Sequence, residues 1–322
     1  MAKSDFQGMS CLEAWGYKVS QIFAEAGQSD VLKENFGITY KEAGQTTANN
    51  TGAYVDLLNK TLYHAAITKI EKILDLVEVN EDLKNGGGFG AMQIPRSIPT
   101  IAYEVAEGKV VNYFDEGIEP ITVTCKKVIA ATTLTWEIKK RGMTGFAKTR
   151  LKEAADAVSR KLAGDICNGL AAGTSLSPQS GGITLAKVNL QEAAVNNSQY
   201  SNGVPTGFLC DTVVINSGVW GTFKNDDDVK ETMYYSGAIQ GTPITVAQNP
   251  LMIGNMEIVV TPFLTAAQAL VLEKKRNLLV KESDLETYEA PIPGRLHDSE
   301  VEALMSYVLA IIYPNSMATV TA

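Results

Sequence analysis

One apolar stripe constrains this chain more than any other feature. From Thr144 to about Leu170, Leu151, Ala154, Ala155, Val158, Leu162, Ile166 and Leu170 recur at helical spacing, with charged residues on the other face. Thr144 is placed to cap the start, and Gly169 and Gly173 are placed to stop the helix. About 27 residues at about 1.5 Å each make a rod of roughly 40 Å. That exceeds the usual helix of a compact domain. The stripe predicts a spine along an elongated molecule.

The segments before the spine differ in kind. Leu12, Trp15, Val19, Ile22, Phe23 and Ala26 are spaced as one helix, closed by Gly27. A longer helical pattern runs from Tyr54 to Val77, through Leu58, Leu62, Ala66, Ile67, Ile70 and Leu74. Residues 1–90 therefore read as a helical arm or scaffold-like region. Pro95 and Pro99 then forbid a helix. Beyond them, Thr100–Glu107, Ile121–Cys125 and Val128–Ile138 have the alternation of strands. The acidic, Gly-containing stretch 107–120 joins the first two as the tip of an extended hairpin. It has too little apolar content to fold back on a core.

After the spine, a Gly/Ser-rich loop leads to a helix from Leu185 to about Gln199. The last third reads as α/β. It has a strand over Leu209–Ile215 and a helix over Ser217–Lys224. Strands follow near Ile244–Ala247, Met256–Thr261, Ala269–Glu273 and Asn277–Val280; Val301 to Tyr313 alternates as a long strand, with a helix the alternative, and Pro314 stops it. The fold class is α+β.

Chemistry is sparse. The net charge is −8, whereas proteins that grip phosphates are normally basic. The densest basic stretch, Lys139, Lys140 and Arg141 with Lys148, Arg150 and Lys152, reads as a solvated helix start. His64 and His297 are the two histidines, and each reads as a surface or interface residue. Cys11, Cys125, Cys167 and Cys210 never form a C-x-x-C, so neither a zinc site nor a disulfide framework is expected. No nucleophile elbow, zincin or P-loop motif occurs. Gly86, Gly88 and Ala91 fit a loose dinucleotide pattern, but an acidic helix exit precedes them and Pro95 follows too soon. Asp226, Asp227 and Asp228 could offer oxygens to a divalent cation. Three consecutive carboxylates do not converge on one ion without a special turn, so the run reads as a solvated loop. No catalytic, cofactor-binding or metal-ligating residue is singled out, no cofactor is expected, and an enzyme is disfavoured. No run of about 18 apolar residues predicts a membrane span.

The order of parts carries a resemblance. Ile94–Ile138 reads IPRSIPTIAYEVAEGKVVNYFDEGIEPITVTCKKVIAATTLTWEI, with Glu107-Gly108, Lys126-Lys127 and Thr135-Trp136-Glu137 at its turns. Thr212–Asp227 reads TVVINSGVWGTFKNDD. Gly241–Val320 runs from GTPITVAQNPL through AQALVLEKKRNLLVKES to YVLAIIYPNSMATV. Taken in order, these resemble the Hong Kong 97-type major capsid proteins of tailed double-stranded DNA viruses.

The resemblance implies an N-terminal arm (1–90), an extended hairpin loop with adjoining strands (91–143) and a peripheral domain with the spine helix (144–204). An axial domain (205–285) and a return strand of the peripheral domain (286–322) follow. It implies self-assembly into hexamers and pentamers of an icosahedral shell in a virion, put together in the host cytoplasm. The shell encloses double-stranded DNA without sequence-specific binding, and no membrane is involved. A portal, and scaffolding or decoration proteins, are the implied partners. An encapsulin-like compartment holding an enzyme cargo is the alternative. Some members crosslink a hairpin lysine to a peripheral-domain asparagine. The matching stretches here, Tyr113–Glu119 and His297–Leu304, hold neither, so no covalent chainmail is expected.

Overall fold

The computed structural model describes residues 62, 66, 67, 70–82, 91–97, 118–135, 144–200, 203–230, 252, 253, 255–265, 267–291 and 298–321. The helix expected at 12–26, most of that at 54–77, the hairpin tip, the strand at 244–247 and both histidines lie outside these residues. By contacts the chain forms two compact units. One takes 1–70, 126–161 and 282–307; the other takes 71–125, 162–281 and 308–322.

In chain order the elements begin with α1 (Glu71–Leu74), β1 (Glu78–Asn80), β2 (Ala91–Ser97), β3 (Ile118–Thr124) and β4 (Lys126–Leu134). The spine is α2 (Thr144–Ala172), followed by α3 (Leu185–Asn196), β5 (Thr212–Asn216) and α4 (Ser217–Lys224). Next come β6 (Met252–Ile253), β7 (Met256–Thr261), β8 (Gln268–Leu272), β9 (Leu278–Pro291), β10 (Ser299–Ala310) and β11 (Met317–Thr321).

In the first unit β10 runs antiparallel to β4, with Ser299 opposite Leu134 and Tyr307 opposite Lys126. β9 lies on the other side of β10. Val301, Ala303, Met305 and Tyr307 are buried on one parity of β10. The α2 stripe is buried at every expected position, from Leu151 to Leu170.

The second unit is built on a five-stranded sheet ordered β11-β8-β5-β7-β6. β5 is parallel to β7 and antiparallel to β8. Val188, Val195 and Phe223 of α3 and α4 pack with Val213, Ile215, Ile258, Val271 and Val320 on one face of the sheet. Val214, Val259, Leu270 and Leu272, on the other parity, are buried as well. Burial on both faces explains the unbroken apolar run of β5. The base of the hairpin, β2 paired with β3, packs Ile94 and Val123 on Val280, Ala310 and Ile312.

Several expectations are corrected. The strand expected at Thr100–Glu107 lies outside the described residues; the partner of Ile118–Thr124 is Ala91–Ser97, with Pro95 opposite Pro120. A two-stranded sheet leaves each strand one open side, where a missing N–H costs no ladder bond. The strand expected from Leu209 starts at Thr212, and Leu209 is 69% exposed. Gly169 does not stop the spine. A methyl there would sit 2.5 Å from Leu309 Cδ2, and one at Gly173 would sit 2.7 Å from Ile311 Cγ1. Gly169 is thus a close-approach residue inside the helix, which ends at Ala172. β9 does not stop at Val280 but continues to Pro291. Residues 286–322 do not stay with one sheet, because Met317–Thr321 pairs with β8, inside the span expected as axial. The Gly/Ser-rich loop after α2 lines the free edge of β11. The Gln179 amide donates to Thr319 O at 3.1 Å, and the Thr321 amide donates to Gln179 O at 2.7 Å. Such cover removes an exposed strand edge.

Candidate assembly surfaces

The residues singled out for chemistry do not converge. Among the described residues no three His, Cys, Asp or Glu side chains group as a metal site. Asp226 accepts from the Leu185 amide at 3.1 Å and so caps α3, whose own N-cap Thr184 makes no side-chain bond. Asp227 pairs with Lys230 at 3.1 Å on the surface. The aspartate run is thus a helix cap and a surface ion pair. Gly86 and Gly88 lie outside the described residues, and Ala91 opens a strand where a dinucleotide loop needs a helix. Burial pushes the Cys167 and Cys210 thiols up to about 12; Glu192, Asp211 and Glu273 add to the effect at Cys210. Both are inert core residues. Among the described residues no helix is long and apolar enough to cross a membrane.

Register brings together what the sequence keeps apart. On β10, Glu300 and Glu302 take the parity opposite to buried Val301 and Ala303. On β9, Glu282, Asp284 and Glu286 are partly exposed while Leu285 and Thr287 are buried. Ser306 Oγ donates to Glu282 Oε2 at 2.7 Å, which places the two sets of carboxylates on one face. On β4, Thr133, Ala131 and Ile129 lie opposite Glu300, Glu302 and Leu304, and all three are exposed. Lys127, opposite Ser306, is the one cation that β4 adds to that face. One side of this sheet is thus apolar and buried, and the other carries the carboxylates beside buried Leu304 and Ser306. Alternation in 282–286 and 298–302 is the sequence signal for it.

The exposed side of α2 has the opposite character. Arg150, Lys152, Arg160 and Lys161 are exposed around the buried stripe, with Glu153 paired to Arg150 at 3.4 Å. Of the basic stretch expected as a solvated helix start, Arg150 and Lys152 are described and do lie in solvent, while 139–141 lie outside the described residues.

No family description matches this sequence, and no curated protein matches it. Solved structures do. The virus-like particle protein from Pyrococcus furiosus matches over 81% of this chain and 96% of its own, with a TM-score of 0.52 and 9% identity. The cyanophage Pam1 capsid matches over 77% and 88%, with a TM-score of 0.56 and 12% identity. The head of Helicobacter pylori bacteriophage KHP40 matches over 76% and 87%, with a TM-score of 0.56 and 9% identity. These matches establish an α+β chain with the Hong Kong 97-type capsid fold.

Proposed function

We propose that this chain is the major capsid protein of a tailed virus, a subunit whose hexamers and pentamers close an icosahedral shell around double-stranded DNA. The observation that carries the proposal is the extent of the fold match, which takes in nearly the whole of each neighbouring shell protein. In this reading the function is mechanical. The first unit corresponds to the peripheral domain, the second to the axial domain, and residues 1–90 to an N-terminal arm. The base of the hairpin is anchored through Ile94 and Val123 on Ala310 and Ile312, and its tip reaches a neighbouring subunit. The net charge of −8 suits a container into which DNA is driven, because a strongly basic wall would hold it fast. A portal, and scaffolding or decoration proteins, complete the particle, which assembles in the host cytoplasm.

Electron microscopy of the expressed chain tests the proposal. Uniform polyhedral shells or capsomer rings are expected; a monodisperse monomer or dimer defeats it. Nuclease-protected DNA in native particles is expected, and particles holding a protein cargo instead would identify a compartment shell. Denaturing gels of mature particles are expected to show single chains, since the hairpin stretch 113–119 has no lysine. A ladder surviving boiling and reductant would overturn that point.

A further inference from the structure

We propose that Arg96, Arg276, Tyr200 and Tyr313 form a binding site for a phosphate group. All four belong to the second unit, although they come from β2, the turn after β8, the loop after α3 and the segment after β10. Packing brings them together. Phe208 is buried, and Tyr200 and Tyr313 meet it edge-on, with ring centroids 6.3 and 5.6 Å away. The Arg276 guanidinium lies over the Phe208 ring, 5.5 Å from its centroid. Arg96 takes the same parity of β2 as Ile94, and Ile94 belongs to the apolar cluster that Tyr313 borders. The Tyr200 hydroxyl feels both cations. Burial pushes its pKa up, with Tyr313 and Glu273 adding to the effect, while Arg276 and Arg96 oppose it.

This cluster is rich in donors and poor in acceptors. Arg96 Nε is buried and has no hydrogen-bond partner among the described residues. A buried donor without an acceptor is costly. The carboxylate that acts on Tyr200 is Glu273, and both of its oxygens already accept. One takes the Arg276 Nη2 donor at 2.6 Å, and the other takes the Leu209 amide at 3.2 Å. Arg276 keeps further N–H groups beyond that bond, since a guanidinium has five. Tyr200 and Tyr313 are partly exposed, and each hydroxyl can donate. A group that suits these donors accepts without donating, is anionic, and offers oxygens to four segments of chain. A phosphate meets all three conditions, and arginine forks match its geometry. Two sources supply one: the backbone of enclosed DNA, and free phosphate in solution. Only the first depends on the shell reading.

Thermal melting of the full chain with inorganic phosphate, at an ionic strength held constant with chloride, tests the site. Wild type is expected to gain about 2–4 °C, saturating as phosphate rises. Without phosphate, Arg96→Met should melt no lower than wild type, because it removes a buried donor that has no acceptor. With phosphate, it should gain nothing. Tyr200→Phe keeps the ring against Phe208 and removes only the hydroxyl, so about tenfold more phosphate should be needed for the same gain. Where Arg96→Met disturbs the hairpin base, Tyr200→Phe decides alone. A short DNA duplex that raises the melting temperature of wild type but not of Arg96→Met marks DNA as the source; a duplex without effect marks free phosphate. Acetate matching phosphate would overturn the proposal in favour of a carboxylate. No gain in wild type, or a gain that both variants keep in full, would overturn it as well. None of these failures touches the shell reading, which particle formation decides.

Discussion

The backbone amide of Ile312 donates to the side-chain carbonyl of Asn277 at 3.0 Å, deep in the second unit. Tyr313 donates to the same oxygen at 3.1 Å, and the Asn277 amide reaches Ser316 Oγ at 3.3 Å. One buried side chain thereby fixes the bend between β10 and β11, where Pro314 interrupts the ladder. Asn277→Leu strands two buried N–H groups, each costing about 1–3 kcal/mol. A loss of about 2–4 kcal/mol in denaturant unfolding of the subunit is expected, with particle yield falling in parallel. A shift of a few tenths would show that the bend is held by packing alone.

Gly169 and Gly164 sit in the same helix under opposite constraints. A methyl at Gly164 meets nothing within 4 Å, whereas one at Gly169 meets Leu309 Cδ2. Gly164→Ala should stabilise by up to about 1 kcal/mol through helix propensity. Gly169→Ala should gain less, because the Leu309 side chain must move aside, and adding Leu309→Ala should narrow the difference. Thermal melting of the three variants checks the order, and equal effects of the two single changes would contradict it.

Asp226 and Asp227 are neighbours with different duties. Asp226 caps α3 from another part of the chain, while Asp227 is 94% exposed in its ion pair. Asp226→Ala should cost about 1 kcal/mol, as lost helix caps do. Asp227→Ala should cost at most about 0.5 kcal/mol. Calcium or magnesium should leave the wild-type melting temperature unchanged. A metal-dependent rise abolished by Asp226→Ala would instead make the run a cation site.

What the sequence revealed and what it hid divide along local and non-local lines. The α2 stripe was legible because each residue's burial follows from helical spacing alone. Ser217–Lys224 was legible because its helix begins at the local cap Asn216, which accepts from the Gly218 amide at 2.7 Å. β11 was not legible: Met317–Thr321 becomes a strand only through pairing with Gln268–Leu272, and Pro314 just before it reads as an ending. Gly169 was misread because a glycine that stops a helix and one that admits a neighbour look the same in sequence. The acidic face was hidden for a related reason. Its members come from two strands, and only their alignment shows that Glu282 and Glu302 share a surface.

Lys274 ties the α1–β1 segment to the sheet, bonding Asp75 at 3.0 Å and also Glu257, with Lys275 adding a 3.3 Å contact to Asp75. The hydrogen bond from Lys274 holds the Asp75 carboxyl below its usual range, against partial burial. Burial opposes the charge on Lys274, but its bonds to Glu257 and Asp75 outweigh that and raise its pKa. The signs set the window. Asp75 has a lowered folded pKa, so its contribution is present above the unfolded carboxylate value of about 4 and fades as pH falls through the folded value. Lys274 has a raised folded pKa, so its contribution is full below the unfolded lysine value of about 10.4 and fades as pH rises through the folded value. Lys274→Met should therefore melt below wild type across about pH 5–9. The gap should narrow below about pH 3, as the carboxylate partner takes up a proton, and again at the alkaline end. Melting curves of both proteins across pH read this directly. A gap that stayed constant down to the acid limit would mean that Lys274 acts through the packing of its methylenes and not through its charge.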